Sequence, residues 1–238
     1  MAQEKFKDYS GRHITSLCCR HCVAGTAYAT LQPPQIKALT ENQHRAMKKY
    51  LEVSEFIDWN NSDVIACAKS LRGSLESDID IARVCFEFVR DDIKHSWDYK
   101  IDEITCSASE VLRHKSGYCY SQSHLLAALL RANSIPAGLC YQRLSLGDEG
   151  EPYCLHGLNA IYLKEFGWYR VDPRGNKEGV DARFNPPSEN LAFTTNGRLE
   201  ADIQGIWPEP LPIVVRVLKD HNTYMGVYEN LPDVEVFS

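Results

Sequence analysis

The sequence predicts an α+β fold in which helices come first along the chain and an antiparallel sheet follows. Between residues 61 and 134, apolar side chains recur at the three- and four-residue spacing of helices. Beyond Pro136 the apolar period changes to two, which is typical of strands. Turn-forming segments separate these strands, as they do in hairpins. This order of elements is the one found in α+β proteins.

Two amphipathic helices are predicted before residue 95. The segment SDVIACAKSLRGSL follows Asn61, and one of its faces carries Val64, Ile65, Ala68 and Leu71. The segment DIDIARVCFEFVRDDI has acidic residues in its first turn, which suits the positive helix end. Its apolar stripe comprises Ile81, Val84, Cys85, Phe88 and Val89. The next segment, residues 95–107, is predicted to be a loop.

A short helix and a long buried helix are predicted after this loop. In SASEVLRHKSG, Ser107 caps the helix, Glu110 stands at the capping-box position, and Gly117 ends the helix. The segment SQSHLLAALLRANS is apolar on almost every side. This distribution is typical of a helix that is buried all round.

Three strands and two terminal segments complete the prediction. The strands are AGLCYQRLSL, LHGLNAIYL and GWYRVD, separated by GDEGEP and by the short hairpin connection KEFG. The segments PIVVRVLKD and NTYMGVYENL are predicted to be helical, although the Val-rich first one is equally compatible with a strand.

Residues 1–46 differ in character from the rest of the chain. They contain a QPP break at 32–34 and show no sustained period, so we interpret them as an irregular or weakly ordered N-terminal extension. Met47 opens a segment that resembles a natural domain start, which makes the extension a candidate start-site artefact. We therefore predict one domain over residues 47–238, with helical segments at its C-terminal end.

Length, composition and charge exclude several classes of protein. The 238 residues are 44% hydrophobic and 24% charged, as in ordinary globular proteins. A net charge of -6 without any basic run argues against a nucleic-acid partner. No stretch approaches the roughly 20 apolar residues that span a bilayer, and the N-terminus has no apolar signal-peptide core. We therefore expect no membrane partner and a cytoplasmic location. The oligomeric state is not predicted.

The nine cysteines are predicted to be reduced thiols and not metal ligands. Cys67, Cys85 and Cys140 lie in apolar segments, where cysteine behaves as a small hydrophobic residue. The Cys-rich segment SLCCRHC suggests zinc, but structural zinc usually takes two ligand pairs a dozen or more residues apart. We expect no metal and no cofactor.

Cys119, in the motif GYCY, has two interpretations. It begins the most buried predicted helix and follows a glycine that can form a tight turn. The unpaired N–H groups and positive dipole of a helix start favour a thiolate nucleophile and can also bind an oxyanion. In a chain with nine cysteines, however, position alone favours a packed side chain.

His156 and Asp172 change this balance. His156 begins a predicted strand and shares a face with Leu158, Ala160 and Tyr162, so it can project towards the buried helix. Asp172 ends the next strand, before a proline, and antiparallel neighbours can bring it beside His156. Either residue alone is more often structural. Together they match the nucleophile, base and orienting group of covalent acyl transfer.

These motifs resemble the transglutaminase-like superfamily, a circularly rearranged relative of the papain-type cysteine proteases. The resemblance rests on GYCY opening a helix that runs on to LLRANSIPAG, a following histidine, and GWYRVDP. It extends over roughly residues 80–180 and is closest to bacterial members often labelled cysteine proteases. It implies a papain-like core in which the nucleophile begins a buried helix packed on an antiparallel sheet. The implied catalytic triad is Cys119, which attacks a carboxamide or peptide carbonyl, His156, which shuttles the proton, and Asp172.

The chain also departs from the family pattern. Ser121 and Gln122 stand where many members have an acidic residue, and Gly157 and Leu158 where many have an aromatic residue. We therefore expect a different cleft wall. In relatives the second oxyanion donor is an upstream aromatic or amide side chain. Candidates here are Trp97 and Tyr99, although packing of loop aromatics on the core explains both more simply.

Other candidate groups receive structural interpretations. His124 is predicted to be packed or hydrogen-bonded in the buried helix, and His95 and His114 to be surface groups. Ser121 and Ser123 lack the G-x-S-x-G frame of a serine nucleophile. A metal site formed by Cys119, Cys154 and His156 is geometrically feasible but lacks a fourth ligand.

The sequence therefore predicts a cysteine-dependent hydrolase or acyltransferase. It would act on peptide, protein or other amide substrates through a thioester. Hydrolysis, by a peptidase or deamidase, is favoured by analogy with bacterial relatives. The alternative is a non-catalytic peptide-binding module with the same fold, against which a complete triad argues.

Overall fold

The computed structural model describes residues 46–147, 150–196 and 199–234. The proposed N-terminal extension, apart from its last residue, and the Cys-rich segment SLCCRHC lie outside the described residues. The division of the chain at residue 47 therefore stays a prediction.

The first two helices form where the apolar periodicity places them. Helix α1 is Ser62–Arg72 and helix α2 is Asp78–Asp92. The side chain of Asn61 accepts a hydrogen bond from the Asp63 N–H, and that of Ser77 accepts one from the Asp80 N–H. These caps satisfy N–H groups that have no partner within a helix, which explains why both helices start at these residues.

The segment predicted to be a loop contains short regular elements. Strand β1, Lys94–His95, pairs in parallel with strand β2, Ser116–Gly117, and helix α3 is the single turn Ser96–Tyr99. The loop prediction is therefore wrong for residues 95–99. These elements are too short to show a period of apolar residues, and the β1–β2 pairing joins segments about twenty residues apart.

Helix α4, Ala108–His114, has the predicted capping box. The Ser107 side chain accepts a hydrogen bond from the Glu110 N–H, and the Glu110 carboxylate accepts one from the Ser107 N–H. The predicted end of this helix is wrong. Lys115 adopts a left-handed conformation with φ 55° and terminates α4, so that Gly117 lies in β2.

Helix α5, Cys119–Ala132, is the centre of the core. Every residue except Ala132 is buried, as the apolar sequence predicts. The helix contacts α1, α2 and α4 on one side and strands β3 and β4 on the other. Because α5 is enclosed on all sides, the position of its first residue is set by several elements at once.

The sheet has four antiparallel strands in the order β5-β4-β3-β6. Strand β3 is Ala137–Gly147, β4 is Gly150–Leu163, β5 is Gly167–Val171 and β6 is Ala201–Trp207. The antiparallel sheet that follows the helices confirms the predicted α+β fold.

Strand β6 was not predicted from the sequence, and β4 starts five residues earlier than predicted. The sequence ADIQGIW does not alternate cleanly, because exposed Gln204 is followed by Gly205 at a φ of 126°. Pairing with β3, and not local pattern, therefore holds this edge strand.

Two helices follow the sheet. Helix α6 is Pro212–Asp220 and helix α7 is Tyr224–Glu229. The Val-rich segment is helical because Val214, Val217 and Leu218 form one buried stripe at helical spacing. Among the described residues, the helices are all too short or too polar to cross a membrane.

Arg131 is a buried arginine that joins distant segments. It is 2% exposed, and its guanidinium donates to the carbonyl oxygens of Ala137, Glu52 and Pro208.

We expect Arg131→Met to lower the free energy of unfolding by about 3 kcal/mol, because these carbonyls lose their charged donor. Urea denaturation measures this change. The matched change Arg216→Met, at an exposed position of α6, should alter stability by less than about 0.5 kcal/mol, and an equal loss in both variants would contradict the prediction.

Candidate active site

Cys119 is the first residue of helix α5. Tyr118 occupies the N-cap position, and its side chain makes no capping hydrogen bond. The thiol-bearing residue is 7% exposed and lines a cleft of about 450 Å³. Its sulfur is therefore attached at the positive end of a buried helix, which stabilises a negative charge.

His156 and Asp172 form a short hydrogen bond at the same cleft. His156 Nε2 lies 2.7 Å from Asp172 Oδ2. Strand β5 pairs with β4 only as far as the pair Asn159–Val171, and Asp172 follows directly. The antiparallel register therefore carries the carboxylate towards the part of β4 that holds His156, which lies beyond the pairing with β5. The expectation that His156 begins its strand is wrong, because β4 starts at Gly150.

The carboxylate of Asp172 is held in one orientation. Asp172 is 0% exposed, and its Oδ1 accepts a hydrogen bond from the Arg174 N–H at 3.1 Å. Its Oδ2 accepts a second from the Ala192 N–H at 3.2 Å. A buried carboxylate with these backbone donors can hold the ring of His156 in a single position.

The imidazole of His156 lines the same cleft as Cys119. Burial would lower the pKa of His156, but the interactions of its ring with Asp172 and then with Cys119 raise it to about 10. Because Nε2 is bound to Asp172, Nδ1 is the ring nitrogen left for the thiol. Protonated His156 thus stabilises the folded state below about pH 6.5, and this contribution is lost as the pH rises through about 10.

A glycine allows the start of α5 to approach strand β4 beside His156. A Cβ atom at Gly157 would lie 2.9 Å from Tyr120 Cδ1 and 3.2 Å from Tyr120 Cα. Leu158 and Ala160, on the strand face that His156 shares, pack in a small cluster separate from the core around α5. The expectation that this face projects towards the buried helix is therefore wrong. The absence of a side chain at Gly157 therefore sets the separation of the helix start and the strand.

We expect Gly157→Ala to lower the rate at which iodoacetamide alkylates Cys119 by about 10-fold, because a displaced helix start moves the thiol away from His156. Peptide mass spectrometry at pH 7 measures this rate. The control is Gly147→Ala, since a Cβ there has no atom within 4 Å. Equal rates for the two variants and the wild type would contradict this reading of Gly157.

Gly117 has a different role from the predicted turn. It lies in β2 and is absent from the residues with positive φ among those the structure describes. A Cβ atom at this position would lie 2.4 Å from Ser121 Oγ and 3.1 Å from Thr105 Oγ1. Glycine is therefore needed for close packing beneath the first turn of α5 and not for a special backbone conformation.

The segment 191–193 closes one side of the His–Asp pair, and sequence reasoning missed it. The Ala192 N–H binds Asp172, and the Phe193 ring meets the His156 ring edge to face at 5.0 Å. The guanidinium carbon of Arg174 lies over the Phe193 ring, 5.5 Å from the ring centroid. The letters LAF carry no motif, so only the fold reveals this contact.

The structure separates the two candidate oxyanion donors. Trp97 lines the cleft with Cys119 and stacks on Tyr228 of α7, with ring centroids 3.7 Å apart. Tyr99 is 61% exposed and lies beside Lys94 in a neighbouring pocket. Trp97 is thus brought to the thiol, and Tyr99 is not.

The three other histidines interpreted from the sequence differ in burial. His124 is buried in α5 with Nδ1 2.7 Å from the Cys106 carbonyl oxygen, and His114 is exposed, as predicted. His95 was predicted to be a surface group, and this is wrong. It is 6% exposed and lines the cleft, because β1 carries it beneath α3 and against Tyr118.

Cys154 lines the same cleft two residues before His156. Burial, and then the charge of Cys119, raises the pKa of the Cys154 thiol to about 12, so it remains protonated. Within the described ranges no group of three or more His, Cys, Asp or Glu residues is arranged to hold a metal ion.

A thiol, an imidazole and a buried carboxylate at one cleft of an α+β fold define the class of cysteine-dependent enzymes with this architecture. Residues 65–173 match the family described as the transglutaminase-like superfamily, and this segment includes all three groups. This match confirms the resemblance predicted from the sequence. No curated protein matches the chain significantly.

Solved structures with a similar fold cover about half of the chain. A proposed cysteine protease from Cytophaga hutchinsonii is 20% identical, with a TM-score of 0.44, over 54% of this chain and 42% of that one. The periplasmic domain of TgpA from Pseudomonas aeruginosa is 20% identical, with a TM-score of 0.43, over 55% of this chain and 47% of that one. The matched region thus spans less than half the length of either relative.

Proposed function

We propose that the protein is a cysteine-dependent hydrolase or acyltransferase that acts on peptide or carboxamide bonds through a thioester. Cys119 is the nucleophile, His156 the proton carrier and Asp172 the group that orients His156. The observation that carries the proposal is the position of Cys119 and His156 in one cleft, together with the hydrogen bond between His156 and Asp172. A cytoplasmic location is retained with it as a prediction from the sequence.

The first half of the reaction forms the thioester. The proton of the thiol resides on His156, and the Cys119 thiolate attacks the carbonyl carbon, so that a C–S bond forms and an electron pair moves to oxygen. N–H groups at the start of α5, together with Trp97 as a candidate side-chain donor, stabilise this oxyanion. The intermediate then collapses, the C–N bond breaks, and the leaving amine takes the proton from His156.

The second half regenerates the thiolate. Water or a second amine gives a proton to His156 and attacks the thioester carbonyl, after which the C–S bond breaks and sulfur leaves as a thiolate beside protonated His156. We favour water, and hence peptidase or deamidase activity, as the analogy with bacterial relatives suggests. Aromatic and aliphatic side chains along the cleft suit a peptide or protein substrate: Trp97, Tyr118, Leu144, Leu155, Tyr228 and Leu231.

The experiment that tests this function is alkylation of Cys119 by iodoacetamide as a function of pH. Ordinary thiols lose about 10-fold in rate per pH unit below their pKa of about 8.5. We expect Cys119 to react nearly as fast at pH 6 as at pH 8, because protonated His156 stabilises the thiolate. In His156→Ala the rate should fall with pH like that of a free thiol.

Mass spectrometry of the Cys119 peptide separates this reaction from labelling of the other cysteines. Cys67, which is only partly buried in α1, is the internal reference thiol. If Cys119 followed the pH dependence of Cys67 in the wild-type protein, the proposed nucleophile would be wrong. A non-catalytic peptide-binding module would show such behaviour together with retained peptide binding.

A further inference from the structure

His95 is a second buried histidine at the cleft, and the reaction described above does not use it. It lines the cleft together with Cys119. Its ring packs edge to face on Tyr118, with centroids 5.5 Å apart. Tyr118 is the residue directly before Cys119, so the contact holds the His95 ring next to the start of α5.

The ring of His95 is uncharged at neutral pH. Burial lowers its pKa well below the usual range, and the positive charges of Arg174, His156 and Lys177 lower it further. An uncharged imidazole carries one N–H and one lone pair. His95 can therefore present either a donor or an acceptor to the cleft, and the groups around its ring determine which tautomer forms.

Asp98 lies on the Nδ1 side of the ring. Its Oδ2 is 3.6 Å from His95 Nδ1, too far for a hydrogen bond, and 2.8 Å from an Arg174 nitrogen. A carboxylate beside Nδ1 favours the tautomer with hydrogen on that atom, which leaves the lone pair on Nε2. Within the described residues no group donates a hydrogen bond to either ring nitrogen of His95.

The distal nitrogen is thus an acceptor without a partner at the edge of the cleft. The cations that act on His95 already have partners: Arg174 and Lys177 pair with Asp98, and His156 pairs with Asp172. The ring nitrogen of His95 that is fully buried without a partner is Nδ1, whereas Nε2 keeps some access to the cleft, so a substrate donor can replace water at Nε2. Next to a nucleophile that attacks amides, the natural donor is the amide N–H of the substrate.

We propose that His95 Nε2 accepts a hydrogen bond from the N–H of the amide that Cys119 attacks, and so positions that amide in the cleft. The inference rests on the proposed function and adds a substrate class to it. Primary and secondary amides, such as carboxamides and ordinary peptide bonds, carry this N–H. Esters, tertiary amides and peptide bonds to proline do not, and they are selected against.

The test uses two reagents with the same chloroacetyl group: 2-chloroacetamide, which has amide N–H groups, and N,N-dimethyl-2-chloroacetamide, which has N-methyl groups instead. The rate of each with Cys119 of the full chain is measured by peptide mass spectrometry and divided by its rate with glutathione. We expect the wild-type protein to favour the reagent with N–H by about 3- to 10-fold after this correction, the effect of one neutral hydrogen bond.

Two variants distinguish a hydrogen bond from packing. His95→Phe keeps an aromatic ring against Tyr118 but has no acceptor, so the corrected preference should fall to about 1. His95→Gln places an amide near the position of Nε2 and should restore most of the preference. Thermal unfolding of each variant shows whether the fold is retained.

The outcomes separate the two levels of inference. A preference that stays the same in His95→Phe, or a wild-type preference equal to that of glutathione, overturns the role of His95. The proposed function fails separately, when Cys119 reacts with both reagents no faster than Cys67. In a third outcome, His95→Phe slows the reaction of Cys119 with both reagents equally, and the preference for the reagent with N–H is unchanged. This result would assign His95 a packing role and would also overturn the proposal.

Discussion

The Cys119→Ala variant should lose amide hydrolysis or acyl transfer by at least about 10⁴-fold, because the other thiol at the cleft, Cys154, stays protonated. The measurement uses a panel of glutamine-containing peptides with and without an amine acceptor, and product mass distinguishes hydrolysis from transfer. The folded state should be preserved, since alanine removes one small group from the edge of the core.

The matched control for this loss is Cys67→Ala, a change to a cysteine in α1 outside the cleft. It should retain wild-type activity. Cys119→Ser tests the chemistry more narrowly, because a hydroxyl keeps the shape but is far harder to deprotonate. Activity in Cys119→Ala that matches the wild type would show that the reaction takes place elsewhere or not at all.

The second large effect is expected for Asp172→Asn. The charge of Asp172 is the first of the causes that raise the pKa of His156, so its removal returns the proton from the imidazole to the sulfur. We expect the alkylation rate of Cys119 at pH 7 to fall about 10- to 100-fold, the equivalent of one to two pKa units. At pH 10, where ordinary thiols are ionised, the rates of variant and wild type should converge.

This convergence at high pH distinguishes an electrostatic role from damage to the fold. A distorted site would react slowly at every pH. Asp220→Asn, at an exposed position of α6, is the control and should leave the whole pH profile unchanged.

Asp172 also accepts two backbone hydrogen bonds, so the thermal stability of the variant should be measured together with the kinetics. His156→Gln provides a second variant that removes the same charge pair. A rate for Asp172→Asn equal to wild type at pH 7 would contradict the prediction.

Much of the fold could be predicted because its signals are local. Helices α1, α2 and α5 repeat apolar residues at helical spacing over three or more turns, and the Ser107–Glu110 pair is a capping box. Strands β3 and β5 alternate or run apolar between turn-formers. Strand β6 was missed because Gln204 and Gly205 interrupt its pattern and its partner β3 lies some sixty residues earlier.

The site could be predicted only in part. The three groups Cys119, His156 and Asp172 were identified from motif and order, and the structure brings them to one cleft. His95 was assigned to the surface because the short segment around it has no period. The contact that buries it is made with Tyr118, more than twenty residues away. Trp97 and Tyr99 both lie in α3, and the orientation of this short helix determines that Trp97 lines the cleft while Tyr99 is exposed.

The sequence by itself determined the order of helices and strands, the burial of α5 and the choice of the three candidate catalytic groups. These properties follow from the spacing of apolar residues along the chain and from short motifs of neighbouring residues. Only the tertiary structure decided that Gly157 admits the start of α5, that Ala192 and Arg174 hold the Asp172 carboxylate, and that His95 faces the cleft. Each of these depends on atoms from distant segments meeting within a few ångströms, and such contacts arise only when the whole core is packed.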